Sequence, residues 1–389
     1  MVREKIVPAG GGLVFIFWLA NKCIRGTMLS DSRPPTPISR IGTMAELGPG
    51  MEVFGDYYLL GRVGLGGMAE IFRARRFQEP VEGSELGPFG RASRRRIYDA
   101  PIVVLKRLLV EQAKNPFFLD NFIMETDITR LFDHPNVVKT LQSGDVEGVF
   151  YLVMEYVSGV NLNTLLGKLA SQRERMDLQL ALFIVYSAAS ALDYTHNFRM
   201  PSGRRSCFVH RDLSPHNIFL GFSGRAKLGD FGVIHMDALE GSAEGAVVTG
   251  KLGYLSPEQV SAQELDERSD LFSLGIILYE CITGRRLFYA RRGERETEVM
   301  KRIREANIPS MREIVPSLPK ALEELVFYCL KPQPNERIPS AEILMTELRQ
   351  FIESEPLTAA DSLANLLIDL FPQQHAEFLR DLEHGLIRS

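Results

Sequence analysis

The chain has 389 residues, 45% hydrophobic and 24% charged, an ordinary balance for a globular protein and enough for one large core or two medium ones. A formal net charge of −4 offers no cationic field for nucleic acid, so no such partner is expected. Cys23, Cys207, Cys281 and Cys329 stand far apart without CxxC or Cys/His spacing, which excludes a disulfide framework and a zinc site and points to a reducing, cytoplasmic compartment.

Residues 1–50 do not pattern as folded domain. Arg3 and Lys5 precede an apolar run over residues 6–20, which resembles the basic and apolar parts of a secretory signal. The run holds Pro8 and Gly10-Gly11-Gly12 and is shorter than the roughly 20 apolar residues a helical membrane span needs. Lys22 and Arg25 follow it, so basic residues flank both sides and set no orientation. A disordered tail or an over-extended start is expected, with Met28, Met44 or Met51 as alternative first residues, in preference to a membrane tether. Pro34, Pro35 and Pro37 mark a linker that runs to Gly50.

Order is expected from Tyr57-Tyr58-Leu59-Leu60. The turn containing Gly64, Gly66 and Gly67 then separates two apolar runs, as in a β-hairpin, and Ile71 falls on its second strand. Small residues there let backbone N–H groups approach phosphate oxygens. Taken alone this is a weak signal, because many hairpins carry Gly-Gly. Residues 77–100 form an insertion with Arg91, Arg94, Arg95 and Arg96, read as a solvated loop, with a docking or phosphate-sensing patch as the alternative.

Ile102-Val103-Val104-Leu105 is a buried-strand run ending in Lys106, although lysines on such runs usually point to solvent. Phe118, Phe122, Ile123, Ile128 and Leu131 recur at helical spacing around Glu125, and His134-Pro135 closes that helix. Residues 150–157 read as another buried strand, broken by Ser158-Gly159. Beyond it, periodic segments at 178–196, 271–283, 296–306, 321–330 and 340–352 predict helices. A strand-rich half before a helical half predicts an α+β fold of two lobes closing on a cleft.

Within the helical half, Val209-His210-Arg211-Asp212-Leu213-Ser214-Pro215-His216-Asn217 places an acid and an amide behind a His-Arg pair. Asp230-Phe231-Gly232 follows, then Gly253-Tyr254-Leu255-Ser256-Pro257-Glu258. With the glycine turn, Lys106 and Glu125 ahead of them, these motifs stand in protein-kinase order. The chain resembles the eukaryotic-like serine/threonine protein kinases of bacteria over about residues 57–352.

That resemblance implies the two-lobed kinase fold, with a β-rich N-lobe over 57–157 and a helical C-lobe over 158–352. It implies ATP and Mg²⁺ as cofactors and Ser/Thr hydroxyls of proteins as substrates. Asp212 would orient the substrate hydroxyl, Asn217 and Asp230 would hold Mg²⁺, and Lys106, paired with Glu125, would reach the α- and β-phosphates. Ile71 and Val104 would roof the adenine pocket and Phe219 floor it, with Met154 as gatekeeper. Backbone groups of Glu155 and Val157 would meet the base edge, and Asn161 the ribose. Asp270 would hold the catalytic-loop backbone, and Arg337 would pair with Glu258 in a buried ion pair. Arg211 would order a phosphorylated activation loop, for which Ser242 and Thr249 are the candidate hydroxyls. The catalytic loop keeps Pro215 and lacks the Ala/Arg triplets of tyrosine kinases, which implies serine/threonine specificity.

The departures matter as much. Ala69 stands at the third loop glycine, Val104 at the roof alanine, and Thr129 and Thr140 at positions usually apolar, where looser coupling to the active state is expected. Ser214 replaces the lysine that contacts the γ-phosphate, where developing charge needs a cation. The family's threonine of the facing segment is here Lys251. Those positions touch in the resembling fold, so Lys251 is expected to carry its ammonium to Asp212 and replace the missing cation. The competing expectation is a pseudokinase, a scaffold that binds nucleotide or partners without transfer.

Residues 357–389 lie beyond the kinase core. Thr358-Ala359-Ala360-Asp361 reads as a capping box opening an amphipathic helix with Leu363, Leu366, Leu367 and Leu370; Phe371-Pro372 stops it and a second short helix follows over 374–384. An extra layer on the large lobe is expected, with a helix pair for a signalling partner as the alternative.

Overall fold

The β-branched and aromatic runs of the N-terminal half pair into one antiparallel sheet. Its strands are β1 (Glu52–Phe54), β2 (Tyr57–Leu65), β3 (Ala69–Arg76), β4 (Ile102–Leu108), β5 (Thr140–Val146) and β6 (Val149–Glu155), in the order β1-β2-β3-β4-β6-β5. The computed structural model describes residues 52–66, 68–76, 100–231, 251–353 and 355–387. The expectations for residues 1–50, Gly67, Arg91, Arg94, Arg95, Arg96, Ser242 and Thr249 lie outside the described residues.

Pairing begins at Glu52, ahead of the expected start, because Gly55 at φ +53° closes a tight turn that sets Phe54 opposite Tyr57. β4 is an internal strand with β3 on one side and β6 on the other, which is why its run is apolar. Strand alternation sends Val103, Leu105 and Arg107 to one face, where Arg107 lies over the rings of Phe54 and Phe72. Val104 and Lys106 take the opposite face. The helices α1 (Val110–Ala113) and α2 (Pro116–Thr129) follow, the latter opening on a proline, whose fixed φ suits the first helical position.

Past β6 come β7 (Gly159–Asn161), α3 (Leu162–Gln172), α4 (Leu178–His196), the hairpin β8 (Phe198–Arg199) and β9 (Arg205–Ser206), then β10 (Ile218–Gly221) and β11 (Ala226–Leu228). A small sheet of order β11-β10-β7 closes the floor of the cleft. β7 can lie this close to β10 because Gly159 has no Cβ; one there would stand 1.9 Å from the Leu220 carbonyl oxygen. α5 (Glu267–Thr283) is buried from Ser269 to its end, the pattern of a central core helix, and Gly284 at φ +65° caps it. α4 is long and apolar enough to cross a membrane, yet Ile184, Val185, Ala188 and Leu192 are buried in the core it shares with α5.

The C-terminal helices are α6 (Glu296–Glu305), α7 (Lys320–Cys329), α8 (Ala341–Arg349), α9 (Pro356–Leu370) and α10 (Pro372–Glu383). Two expectations for the tail are corrected here. α9 starts at Pro356 with no side-chain cap, so Thr358 lies inside the first turn and there is no capping box. α9 does stop at Phe371-Pro372 as expected, but Pro372 also opens α10, two residues ahead of the expected start, since a missing N–H costs nothing at a helix start. The tail is also more than a layer on the large lobe: Leu363 and Leu367 bury against it, but Asp381 bonds Arg73 of β3 and Leu386 bonds Ile102 of β4.

Candidate active site

One buried carboxylate holds the loop at residues 209–217. Asp270, in the first turn of α5, accepts the backbone N–H groups of His210 at 2.7 Å and Arg211 at 3.0 Å, and His196 Nε2 lies 2.8 Å from it. Arg211 adopts φ +67°, a strained value for a non-glycine residue. Gln259 secures it from the other side, its Nε2 donating to the Arg211 carbonyl at 2.7 Å. Burial pulls His210 below the usual imidazole range, against the opposing pull of Asp270, and the ring is neutral. Its Nε2–H donates to the Gly229 carbonyl at 3.1 Å, and Nδ1 accepts the Asp212 N–H at 3.3 Å. The tautomer follows, since a carbonyl can only accept and an amide N–H can only donate. The same ring lies 4.6 Å from that of Phe231, tying the loop to the Asp-Phe-Gly turn.

On this platform Asp212 Oδ2 accepts Asn217 Nδ2 at 3.1 Å and Lys251 Nζ at 2.5 Å. Asn217 Nδ2 also donates to the Asp212 carbonyl at 2.8 Å, which leaves its Oδ1 as the atom that could serve a metal. Ser214, two residues after Asp212, is buried, its Oγ without a hydrogen-bond partner among the described residues. Lys251 therefore carries the cation on the carboxylate of Asp212, and position 214 carries none.

Across the cleft, Lys106 Nζ lies 3.1 Å from Glu125 Oε1 and 3.6 Å from Asp230 Oδ1. Burial alone would lower the Lys106 pKa, but Glu125 and Asp230 outweigh it and hold the ammonium above its ordinary range. Asp230 takes φ +55°, and among the described residues its buried Oδ1 has no partner within hydrogen-bond distance. A buried carboxylate oxygen that meets only the Lys106 ammonium, at 3.6 Å, forms with the amide oxygen of Asn217 a hard oxygen pair that suits Mg²⁺. Among the described residues no three His, Cys, Asp or Glu side chains cluster to hold a metal alone, so nucleotide phosphates and water would complete the shell.

The adenine positions line up by register. Ile71 faces Gly64 on one side and Lys106 on the other, Val104 faces Met154, and Phe219 on β10 faces Asn161. Glu155 is anchored through its side chain, which accepts Lys227 Nζ at 2.6 Å and the Lys139 N–H at 2.7 Å. Its own N–H donates to the Lys139 carbonyl, so the Glu155 carbonyl is the group that can meet a base. Asn161 Oδ1 is engaged as the N-cap of α3, accepting the Thr164 N–H at 2.9 Å. A ribose contact would fall to Nδ2. Gly66 closes the loop by donating to Ala69, whose methyl is buried, so alanine fits the third glycine position.

Thr129 and Thr140 do not simply loosen the site. Their hydroxyls meet at 3.1 Å in the interior and join α2 to β5 by a hydrogen bond where apolar packing was expected. The far end of the substrate segment is fixed by Arg337 and Glu258, bidentate at 2.6 Å and fully buried. Ser269 Oγ also donates to Glu258, and Arg337 donates to the carbonyls of Lys331, Pro332 and Arg268. Ser256 and Gln259 exchange side-chain-to-backbone bonds in the same turn. His196 and Gln259 are the positioning residues that sequence reasoning missed. The only local hint was the Ser-x-x-Gln spacing of residues 256–259, a reciprocal capping pattern.

A family model described as "Protein kinase domain" matches residues 86–348. The chain is 32% identical over 321 residues to tyrosine-protein kinase MasK of Myxococcus xanthus, covering 82% of this chain and 46% of that protein. It is 27% identical over 308 residues to serine/threonine-protein kinase PrkC of Bacillus subtilis, covering 79% and 42% respectively. With serine/threonine-protein kinase PknB of Mycolicibacterium smegmatis it shares 30% over 311 residues, 77% of this chain and 44% of that protein. The chain thus spans less than half the length of these curated relatives. Among solved structures, the kinase domain of Mycobacterium tuberculosis PknI superposes with a TM-score of 0.53 at 21% identity, covering 77% of this chain and 97% of that one. That likeness concerns the fold.

Proposed function

The chain belongs to the protein kinase family, and we propose that it transfers the ATP γ-phosphate to serine and threonine hydroxyls of protein substrates. The observation that carries this reading is the convergence of Lys106, Glu125, Asp212, Asn217 and Asp230 on one cleft, with Lys106 paired to Glu125 at 3.1 Å. Phosphoryl transfer asks for positioning and charge neutralisation more than covalent chemistry. Lys106, aimed by Glu125, holds the α- and β-phosphates. Asp212 orients the acceptor hydroxyl and takes its proton. Asn217 Oδ1 and Asp230 would hold Mg²⁺, which when bound neutralises phosphate charge. Lys251 replaces the absent catalytic-loop lysine: it stands 2.5 Å from Asp212, where a cation can meet the γ-phosphate as charge develops.

Serine and threonine are favoured over tyrosine because the loop keeps Pro215 and lacks the Ala/Arg triplets. Of the relatives named above, PrkC and PknB carry serine/threonine in their names and MasK carries tyrosine. Ser214, a neutral residue in a cationic position, is the one observation favouring a nucleotide-binding scaffold instead. Purified protein with radiolabelled ATP and a generic basic substrate separates these readings. Transfer to serine and threonine that disappears in Asp212→Asn is expected. Label on tyrosine would reassign the specificity, and a nucleotide-induced thermal shift without transfer would leave the scaffold.

A further inference from the structure

The two lobes are joined through the hinge at residues 155–159 and, separately, through the C-terminal segment. α9 is seated on the large lobe, with Leu363 and Leu367 fully buried. The turn between β10 and β11 admits it only because Gly224, at φ +76°, has no Cβ; one would stand 2.2 Å from the Ala360 carbonyl oxygen. α10 then covers the hinge. His375 and Phe378 pack on the ring of Phe222 at 5.2 and 5.6 Å, and the N–H of Phe222 donates to the hinge carbonyl of Ser158 at 2.9 Å.

From there the segment crosses to the other lobe. Arg73 of β3 donates to Asp381 at 3.0 Å and lies 4.0 Å from Glu377. Its guanidinium sits over the ring of the hinge residue Tyr156, 5.1 Å from the centroid. The carbonyl of Leu386 accepts the N–H of Ile102 at 2.7 Å, and Ile102 opens the strand that carries Lys106. No residue of α10 itself is buried, while Leu386 beyond it is. Contacts of this kind place the segment among the less stable parts of the fold, held by a few specific bonds and not by core burial.

We infer that α10 and the turn after it form a brace behind the hinge that holds β3 and β4 at the lobe angle in which nucleotide binds, with Arg73 and Asp381 as its positioning pair. This rests on the reading of the cleft as the ATP site. A hinge released from the brace samples angles that do not bind, and apparent affinity falls by the fraction of molecules still competent. Bound nucleotide recloses the lobes, so turnover at saturation is affected less.

The test uses the full chain with Arg73→Glu, Asp381→Arg and the double reversal. Fluorescent ATP-analogue titration with Mg²⁺ is read beside hydrogen exchange at Ile102 and across residues 156–159. Each single reversal should weaken nucleotide binding about three- to tenfold and speed exchange at both places, while kcat stays within about twofold. The double reversal, which restores an ion pair of opposite sense, should recover most of the loss. Single variants matching the parent in affinity and exchange overturn the brace, as does a double variant no better than the singles. If the parent binds nucleotide without transferring phosphate, the kinase reading fails while affinity still judges the brace. If the parent binds no nucleotide, exchange at the hinge and at Ile102 judges it alone.

Discussion

Lys251→Met removes one charge from the site and keeps most of the side-chain volume. The ammonium stands 2.5 Å from Asp212 Oδ2, and its side chain is 31% exposed, so the position is neither dry nor fully solvated. Two unit charges about 4 Å apart at an effective dielectric of about 20 interact by about 4 kcal/mol. Partial exposure screens this to about half, and about 2 kcal/mol of lost transition-state stabilisation corresponds to a roughly 30-fold fall in kcat. The KM for ATP should move by less than about threefold, because the ground-state phosphates are held by Lys106 and the metal ligands. Initial rates against ATP at saturating protein substrate give both numbers, with thermal unfolding as a check that the variant is folded. A second pair of variants makes the argument sharper. Ser214→Lys with Lys251→Thr returns the cation to the catalytic loop and should retain more activity than Lys251→Thr alone. A Lys251→Met enzyme with undiminished kcat, or a double variant no better than the single, would refute the exchange of cation and hydroxyl between the two segments.

The buried Arg337–Glu258 pair is a stability prediction: Arg337→Met leaves a carboxylate uncompensated in the interior, costing about 3–5 kcal/mol and lowering Tm by about 5 °C or more. A shift of a degree or less would mean that water or a neighbour rescues Glu258. Neutral His210 predicts a pH dependence: its folded pKa lies below the ordinary 6.5, so the unfolded chain binds the extra proton and stability falls as pH drops below about 6.5. The contribution is complete above that pH, and His210→Gln should flatten the slope of Tm against pH; an unchanged slope would assign it to other groups, such as His134 or His216.

What the chain declares by itself is whatever its chemistry packs into short spacings. Asp212 and Asn217 lie in one turn and bond directly, so the loop's motif is also its geometry. The apolar run of β4 announced a central strand, and alternation alone put Lys106 beside Val104 on the cleft face. The Lys251 position stood between the two cases. Register against the resembling fold brought it to Asp212 on paper, and only folding of the substrate segment fixed the ammonium at 2.5 Å. The capping box at Thr358 failed for a local reason, since Pro356 supplied a better start two residues earlier. Other features have no local trace. Thr129 and Thr140 read as weakened packing until the fold brought their hydroxyls together, and His196 reaches Asp270 across 74 residues. Arg73 and Asp381 are 308 residues apart. Periodicity reports which face of an element is apolar, because burial acts on each element in turn. It does not report which polar group will meet which across a cleft or behind a hinge. That choice belongs to the packing of whole lobes, where an unpaired buried donor or acceptor is costly and the chain must bring it a partner from wherever one lies.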